Sequence, residues 1–134
     1  MILLDTHVVA WLHAGDTDRF PDRARELLEA EALAISPLVR LELQYLHEIG
    51  RTSEPADAVL AALGRTLGLR VVDCSLAELI GHASGLDWTR NPFDRLLAAH
   101  ATVEQAPLLT ADSTIRANLS LAVWDEGTTA PVRA

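Results

Sequence analysis

Two aspartates lie where predicted buried strands end. Asp5 directly follows the apolar residues 2–4, and Asp112 ends the largely apolar segment 108–112. In a parallel α/β sheet the carboxyl ends of the strands meet at one edge, and ligands bind at that edge. We therefore expect the side chains of Asp5 and Asp112 to lie close together there.

Two further carboxylates lie on predicted helices. Asp94 falls in the first turn of a helix that begins at Asn91, and Glu42 falls on a helix that begins at Ser36. Glu42 lies inside a stripe whose apolar members recur three and four residues apart, namely Leu38, Leu41, Tyr45, Leu46 and Ile49. Burying a lone carboxylate is costly, so Glu42 needs a cation, a hydrogen-bond partner or an edge position with access to solvent.

Helix capping is the alternative explanation for the three aspartates. Asp5 and Asp112 each precede a helix and could accept a hydrogen bond from its first N–H groups. Asp94 lies three residues after Asn91, where a capping-box acid would lie. Capping explains Glu42 poorly, because that residue lies within its helix. The four carboxylates taken together favour one shared site.

Such a site would hold a divalent cation, because four converging carboxylates would otherwise repel one another. Hard oxygen ligands suit Mg²⁺ or Mn²⁺, whereas the sequence contains no pair of histidines or cysteines with the spacing of a zinc site. A metal held by carboxylates can activate a water molecule and neutralise a phosphoryl group under attack. The pattern therefore predicts hydrolysis of phosphodiester bonds.

The elements that must position these residues follow a βαβ pattern, in which apolar runs alternate with helical periodicity. This pattern predicts an α/β fold with a central parallel sheet of four to five strands flanked by helices. Strands are expected at 2–4, 32–35, 69–72, 107–110 and 121–124. Helices are expected at 6–13, 21–31, 37–49, from 53–55 to 66–68, and at 75–84, 92–105 and 113–117, with a loop at 14–18.

The composition indicates one globular domain spanning residues 1–134, with a frayed tail at 127–134. Hydrophobic residues make up 49% of the 134 residues, which is enough for a core. No apolar stretch approaches the roughly 20 residues that span a bilayer, and the N-terminus lacks the basic region of a signal peptide. Cys74 is the only cysteine, which excludes a disulfide within the chain and fits a cytoplasmic protein.

The net charge of −8 argues against binding nucleic acid through a broad basic face. All the fixed positive charge is arginine, since the sequence contains no lysine. Arginine suits bidentate contacts with phosphate, but a biased base composition of the gene is the favoured explanation of its exclusive use. Arg95, next to Asp94, could contact a phosphate or brace the carboxylates, and a structural ion pair is the alternative.

At the residues of this acidic pattern the sequence resembles a PIN-domain ribonuclease of the VapC toxin type. The resemblance covers nearly the whole chain, and its segments occur in the same order. They are residues 3–7 (LLDTH), 36–42 (SPLVRLE), 91–101 (NPFDRLLAAHA), 109–112 (LTAD) and 123–124 (VW). Each segment alone is weakly specific, and the set is highly specific.

The resemblance implies a PIN-like three-layer fold and Mg²⁺- or Mn²⁺-dependent endonucleolytic cleavage of RNA. It also implies a cognate antitoxin as partner and a homodimer. Carried over by position, the acidic quartet is Asp5, Glu42, Asp94 and Asp112. Asp5 and Asp94 would lie nearest the metal, and the other two would bind it directly or through water, or position the nucleophile.

The resemblance also implies supporting hydroxyl groups on Thr6, Ser36 and Thr110. In one respect the sequence departs from the family pattern, because many relatives have Asp where this chain has Asn91. Asparagine caps a helix equally well, but it cannot add an anionic ligand.

Two alternatives remain open from the sequence. A PIN ribonuclease that acts in RNA maturation without an antitoxin would have the same site. A phospho-acceptor domain of the receiver type also collects acids around Mg²⁺, and Asp73 ends a predicted strand where an acceptor could lie. That class needs a lysine after a late strand, and this chain has none.

Overall fold

Short aliphatic runs form the strands of a parallel sheet in the computed structural model, which describes residues 1–125. Five strands are present in that part of the chain, in the order β3-β2-β1-β4-β5. They are β1 (Ile2–Leu4), β2 (Leu33–Ile35), β3 (Arg70–Val71), β4 (Leu108–Leu109) and β5 (Ala122–Val123). The tail expected at 127–134 lies outside the described residues.

Helices connect and flank these strands. They are α1 (Thr6–Ala14), α2 (Asp22–Ala30), α3 (Pro37–Glu48), α4 (Ala56–Leu67), α5 (Leu76–Ser84), α6 (Pro92–Glu104) and α7 (Ser113–Asn118). Gly15 and Gly68 end α1 and α4 at φ values of 72° and 70°, a left-handed conformation that glycine adopts without steric penalty. No helix within residues 1–125 is long and apolar enough to cross a membrane.

The predicted α/β fold with a parallel sheet is confirmed, and nearly all element boundaries agree with the expected ones to within one residue. One difference lies in the expected loop at 14–18, where Thr17–Arg19 forms a 3₁₀ turn. Arg19 donates to the Asp16 carboxylate across this turn, at 2.6 Å. Such a short turn is held by local hydrogen bonds. It has no periodic pattern of hydrophobic residues, so the sequence did not predict it.

The central strand β1 positions the edge on which the carboxylates lie. Its three residues are fully buried, and Leu3 is paired with Ala34 of β2 on one side and Leu108 of β4 on the other. The strand order reverses between β1 and β4, which makes this the switch point of the sheet. Crevices at such points are the usual ligand sites of open α/β sheets.

The prediction that one apolar stripe of α3 is buried is wrong. Val39 and Leu43 are the buried residues of this helix, whereas Leu41, Tyr45 and Ile49 are 63%, 50% and 48% exposed. The helix carries apolar side chains on two faces, and its packing against α1, α4 and α6 decides which face is buried. Glu42 lies at the boundary of the buried face and is partly exposed.

The strand order also excludes the receiver-type alternative. Receiver domains have the order 2-1-3-4-5, in which the third strand lies inside the sheet. In the described part of the chain, β3 is an edge strand that pairs only with β2. Asp73 follows that edge strand, so it lies two strands away from Asp5 and cannot serve as the central acceptor of such a domain.

Candidate active site

Asp5 is fixed at the junction between β1 and α1. One carboxylate oxygen accepts a hydrogen bond from the backbone N–H of Thr6, and the other accepts one from the Thr110 hydroxyl, both at 2.7 Å. The residue is 5% exposed. It therefore caps α1 and is tied to the end of β4 at the same time, which leaves little freedom for its side chain.

Thr110 links Asp5 to Asp112 across the switch point. Its buried hydroxyl donates to Asp5 and accepts a hydrogen bond from the backbone N–H of Asp112 at 3.0 Å. Asp112 uses one carboxylate oxygen to cap α7, accepting from the Ile115 N–H at 2.9 Å. Asp5 and Asp112 thus each use one carboxylate oxygen for capping. The same residues can therefore cap a helix and belong to a shared site.

Glu42 reaches the same place from α3. Its carboxylate accepts a hydrogen bond from the Thr6 hydroxyl at 2.5 Å, which joins the start of α1 to the second turn of α3. Burial raises the pKa of the Glu42 carboxyl above its usual value, and the negative charge of Asp5 raises it further. The hydrogen bond from Thr6 acts in the opposite direction by stabilising the charged form.

Asp94 completes the group from the first turn of α6. Its helix is capped by Asn91, whose side-chain oxygen accepts from the N–H groups of Phe93 and Asp94 at 2.9 and 3.3 Å. The Asp94 carboxylate is therefore not needed as a cap. Burial raises its pKa from 3.8 to about 6, with further contributions from the charges of Asp112, Asp5 and Glu42.

The four carboxylates of Asp5, Glu42, Asp94 and Asp112, hereafter the acidic site, thus share one electrostatic field. Within residues 1–125 no arginine lies at ion-pair distance from any of them. The nearest basic group is His7, whose Nδ1 lies 3.6 Å from Asp5. Clustered hard oxygen donors without a protein counter-charge fit a divalent cation such as Mg²⁺ or Mn²⁺.

The sequence of this chain matches the family model of the PIN domain over residues 2–118, which is most of the chain. The chain belongs to the PIN-domain family. Members of this family are nucleases and generally use divalent metal ions. The predicted family membership is thereby confirmed.

The PIN fold is also seen in the solved structures that this chain resembles. A crystal structure of VapBC2 from Rickettsia felis, bound to a DNA fragment from the promoter, is 24% identical with a TM-score of 0.65. The match covers 93% of this chain and 100% of that one. A toxin–antitoxin complex from Klebsiella pneumoniae is 18% identical with a TM-score of 0.61, covering 92% of this chain and 96% of that one. No protein of curated function matches the sequence.

Four supporting residues were expected in this PIN domain, and the structure divides them into two pairs. Thr6 and Thr110 bond directly to carboxylates of the acidic site. Ser36 instead bonds to His100 Nδ1 through its hydroxyl, at 2.6 Å, although it begins α3 at the same edge. Arg95 donates to backbone carbonyls at the end of α5, at 3.0 and 3.2 Å, so it does not brace the carboxylates.

The positions of Ser36 and Arg95 have simple physical reasons. The last carbonyl groups of a helix lack partners within the helix and attract nearby donors, and Arg95 satisfies two of them. His100 is fully buried and its ring nitrogens need partners, so the Ser36 hydroxyl bonds to one of them instead of capping α3. The spacing of residues along the sequence does not show which residue of a neighbouring helix a side chain will bond to.

Proposed function

We propose that this PIN domain is a metal-dependent endoribonuclease that acts as the toxin of a toxin–antitoxin pair. The observation that carries the proposal is the convergence of four carboxylates with no arginine at ion-pair distance among the described residues. The raised pKa of the Asp94 carboxyl, about 6, supports this reading because it arises partly from the other three charges. Perturbed groups of this kind are typical of functional sites.

In this proposal Asp5 and Asp94 would bind Mg²⁺ or Mn²⁺ directly, and Glu42 and Asp112 would bind it directly or through water. The bound metal would lower the pKa of a water molecule and neutralise charge on the scissile phosphate. Thr6 and Thr110 hold Asp5 in a fixed orientation, which is how neighbouring groups tune metal-binding carboxylates.

Glu42 is the residue best suited to position the attacking water. Thr6 fixes one of its carboxylate oxygens, and the other oxygen has no hydrogen-bond donor among the described residues. Because burial and Asp5 raise its pKa, the carboxylate is a stronger proton acceptor than an ordinary glutamate. That oxygen could accept a proton from the attacking water.

RNA would approach this acidic protein through the metal and not through a broad basic face. The net charge of −8 repels a polyanion at long range, so metal binding must precede productive contact with phosphate. Cleavage should therefore depend on the divalent ion for substrate binding as well as for chemistry.

The proposed antitoxin partner and homodimer are supported by the surface of α3. Leu41, Tyr45 and Ile49 form an exposed apolar face on this helix. Contiguous apolar surface of this kind is typical of protein contacts. The two solved structures that the chain resembles are toxin–antitoxin assemblies, VapBC2 of Rickettsia felis and the complex from Klebsiella pneumoniae. Such a toxin would act in the cytoplasm, where its RNA substrate is made.

A cleavage assay tests the enzymatic part of the proposal. Purified protein is stripped of metal and incubated with structured and unstructured RNA, with and without added Mg²⁺ or Mn²⁺. We expect cleavage only with the metal, inhibition by EDTA, and loss of activity in Asp5→Asn. The matched control is Asp22→Asn, an exposed aspartate in the first turn of α2, which should cut normally. Absence of cleavage of every RNA with either metal would contradict the proposal.

A growth assay separates the toxin from a ribonuclease of RNA maturation. Induced expression of a toxin should arrest growth, and co-expression of the protein encoded directly upstream should restore it. Expression of Asp5→Asn should not arrest growth. Metal-dependent cleavage without growth arrest would favour the maturation enzyme.

A further inference from the structure

A second group of metal-ligating side chains lies between α5 and α6. It consists of Cys74, His100 and Glu104, hereafter the thiol cluster, whose ligand atoms all lie within 4.8 Å of one another. Cys74 lies in the loop between β3 and α5, and the other two residues lie one turn apart on α6. Glu104 is ten residues, or about 15 Å, along α6 from Asp94, so this cluster is distinct from the acidic site.

His100 contributes a buried ring nitrogen that lacks a hydrogen-bond partner. The residue is 0% exposed, and its Nδ1 lies 2.6 Å from the Ser36 hydroxyl. Its Nε2 has no hydrogen-bond partner among the described residues, and Glu104 Oε2 is 3.7 Å away, beyond hydrogen-bond distance. When Nδ1–H donates to Ser36, Nε2 presents its lone pair to the thiol cluster, as in metal-bound histidines.

The charges around the thiol cluster also favour a cation. The carboxylates of Glu104 and Asp73 act electrostatically on both the His100 ring and the Cys74 thiol, and Glu78 acts on the thiol as well. The surroundings are therefore negative, and a divalent ion would compensate them while stabilising the thiolate.

We propose that Cys74, His100 and Glu104 bind one Zn²⁺ ion through sulfur, nitrogen and oxygen, with the fourth position open to water. This donor set suits zinc, whereas Mg²⁺ does not take a thiolate ligand. Binding forms the Zn–S bond and releases the thiol proton to solvent, without any change of oxidation state. The proposal does not depend on nuclease activity, because its ligands are not those of the acidic site.

The required movement is small. Tetrahedral zinc with bonds of about 2.0–2.3 Å places its ligand atoms about 3.3–3.8 Å apart. Cys74 lies in a loop, and the Glu104 side chain is 27% exposed, so both can close around an ion. His100 need not move, since Ser36 already fixes its ring.

Cobalt binding tests this proposal on the complete, metal-free chain. Co²⁺ bound to a thiolate gives a ligand-to-metal charge-transfer band, and Cys74 is the only cysteine, so the band reports this cluster alone. We expect saturation near one equivalent of Co²⁺, displacement by Zn²⁺, and no displacement by excess Mg²⁺. A folded wild-type protein that shows no such band would overturn the proposal.

Substitutions of Cys74 and Glu104 test whether these residues bind the Zn²⁺ ion. Glu104→Gln should weaken Zn²⁺ binding at least about tenfold, and Cys74→Ser should abolish the band while circular dichroism shows a folded protein. Asp94→Asn should keep the band, because it changes only the acidic site. Wild-type Zn²⁺ affinity in both Cys74→Ser and Glu104→Gln, measured by competition with a chromophoric chelator, would exclude these residues as ligands.

Discussion

Helix α6 takes part in two sites of different chemistry, the acidic site at its first turn and the thiol cluster near its end. In the acidic site, the carboxylates come from four separate parts of the chain, and two threonine hydroxyls hold Asp5 and Glu42 in place. In the thiol cluster, one loop and one helical turn supply sulfur, nitrogen and oxygen. The first site concentrates negative charge, and the second contains a buried ring nitrogen that has no hydrogen-bond partner within residues 1–125.

The two proposals assign different metals to the two sites. Crowded carboxylates at a sheet edge favour hard cations with several bound waters, whereas a thiolate with an imidazole favours zinc. One hydrogen bond relates the two regions, because Ser36 lies at the edge of the acidic site and bonds to His100 of the thiol cluster. Substitutions at Asp94 and Thr6 therefore test the acidic site, and a substitution at Ser36 tests the thiol cluster.

The largest expected effect is the loss of RNA cleavage in Asp94→Asn. Removing this anionic ligand should lower metal-dependent kcat/KM by on the order of 100-fold or more, as for other preorganised electrostatic groups. Titration of cleavage with Mg²⁺ measures it, with Asp22→Asn as the matched control. Unchanged cleavage in Asp94→Asn would show that the Asp94 carboxylate has no role in the reaction.

The same substitution should stabilise the metal-free protein at neutral pH. Folding raises the pKa of the Asp94 carboxyl to about 6, so the folded state holds this proton more tightly than the unfolded chain does. Between about pH 4 and 6, rising pH therefore lowers the stability of the wild type, and the loss persists above pH 6. Asp94→Asn, which carries no charge, should be more stable by roughly 1–2 kcal/mol at neutral pH, a figure that allows for solvent screening of this half-buried group.

Urea unfolding with EDTA at several pH values measures this difference. The two proteins should converge in stability below about pH 4, where Asp94 is protonated in both folded and unfolded wild type. A difference that is constant across this range would show that the raised pKa of the Asp94 carboxyl is not its cause.

Thr6→Val should have an intermediate effect on catalysis. The substitution removes the hydroxyl that fixes Glu42 while keeping the shape of a buried side chain. We expect cleavage to fall about tenfold, the usual cost of losing a group that orients a metal-site residue. Thr6→Ser, which keeps the hydroxyl, should retain most activity, and equal losses in both variants would point to packing instead.

Ser36→Ala should have the smallest effect and should fall on the thiol cluster. Loss of the hydrogen bond to the buried His100 should lower the free energy of unfolding by about 1 kcal/mol. Zn²⁺ affinity should weaken about tenfold, because the ring loses the group that fixes its tautomer. A large loss of cleavage with unchanged Zn²⁺ affinity would assign Ser36 to the acidic site after all.

Much of the fold was predictable, because apolar runs and helical periodicity are local signals. The strands that precede Asp5 and Asp112 and the helix that begins at Asn91 follow from such signals, and so does the edge at which the aspartates meet. The buried face of α3 was not predictable, since the helix is apolar on two sides. Packing against α1, α4 and α6 buries Val39 and Leu43 and exposes Leu41.

By itself, the sequence determined the parallel α/β fold, the resemblance to the PIN family, three aspartates at strand ends or helix starts, and one glutamate within a helix. Local periodicity and capping encode the fold and the places of the acids within a few neighbouring residues, whereas the family follows from the resemblance of five short segments. Tertiary structure alone decided that Ser36 and Arg95 bond away from the carboxylates, and that Cys74 meets His100 and Glu104. Those contacts join residues that are distant in the chain, and no spacing along the sequence specifies them.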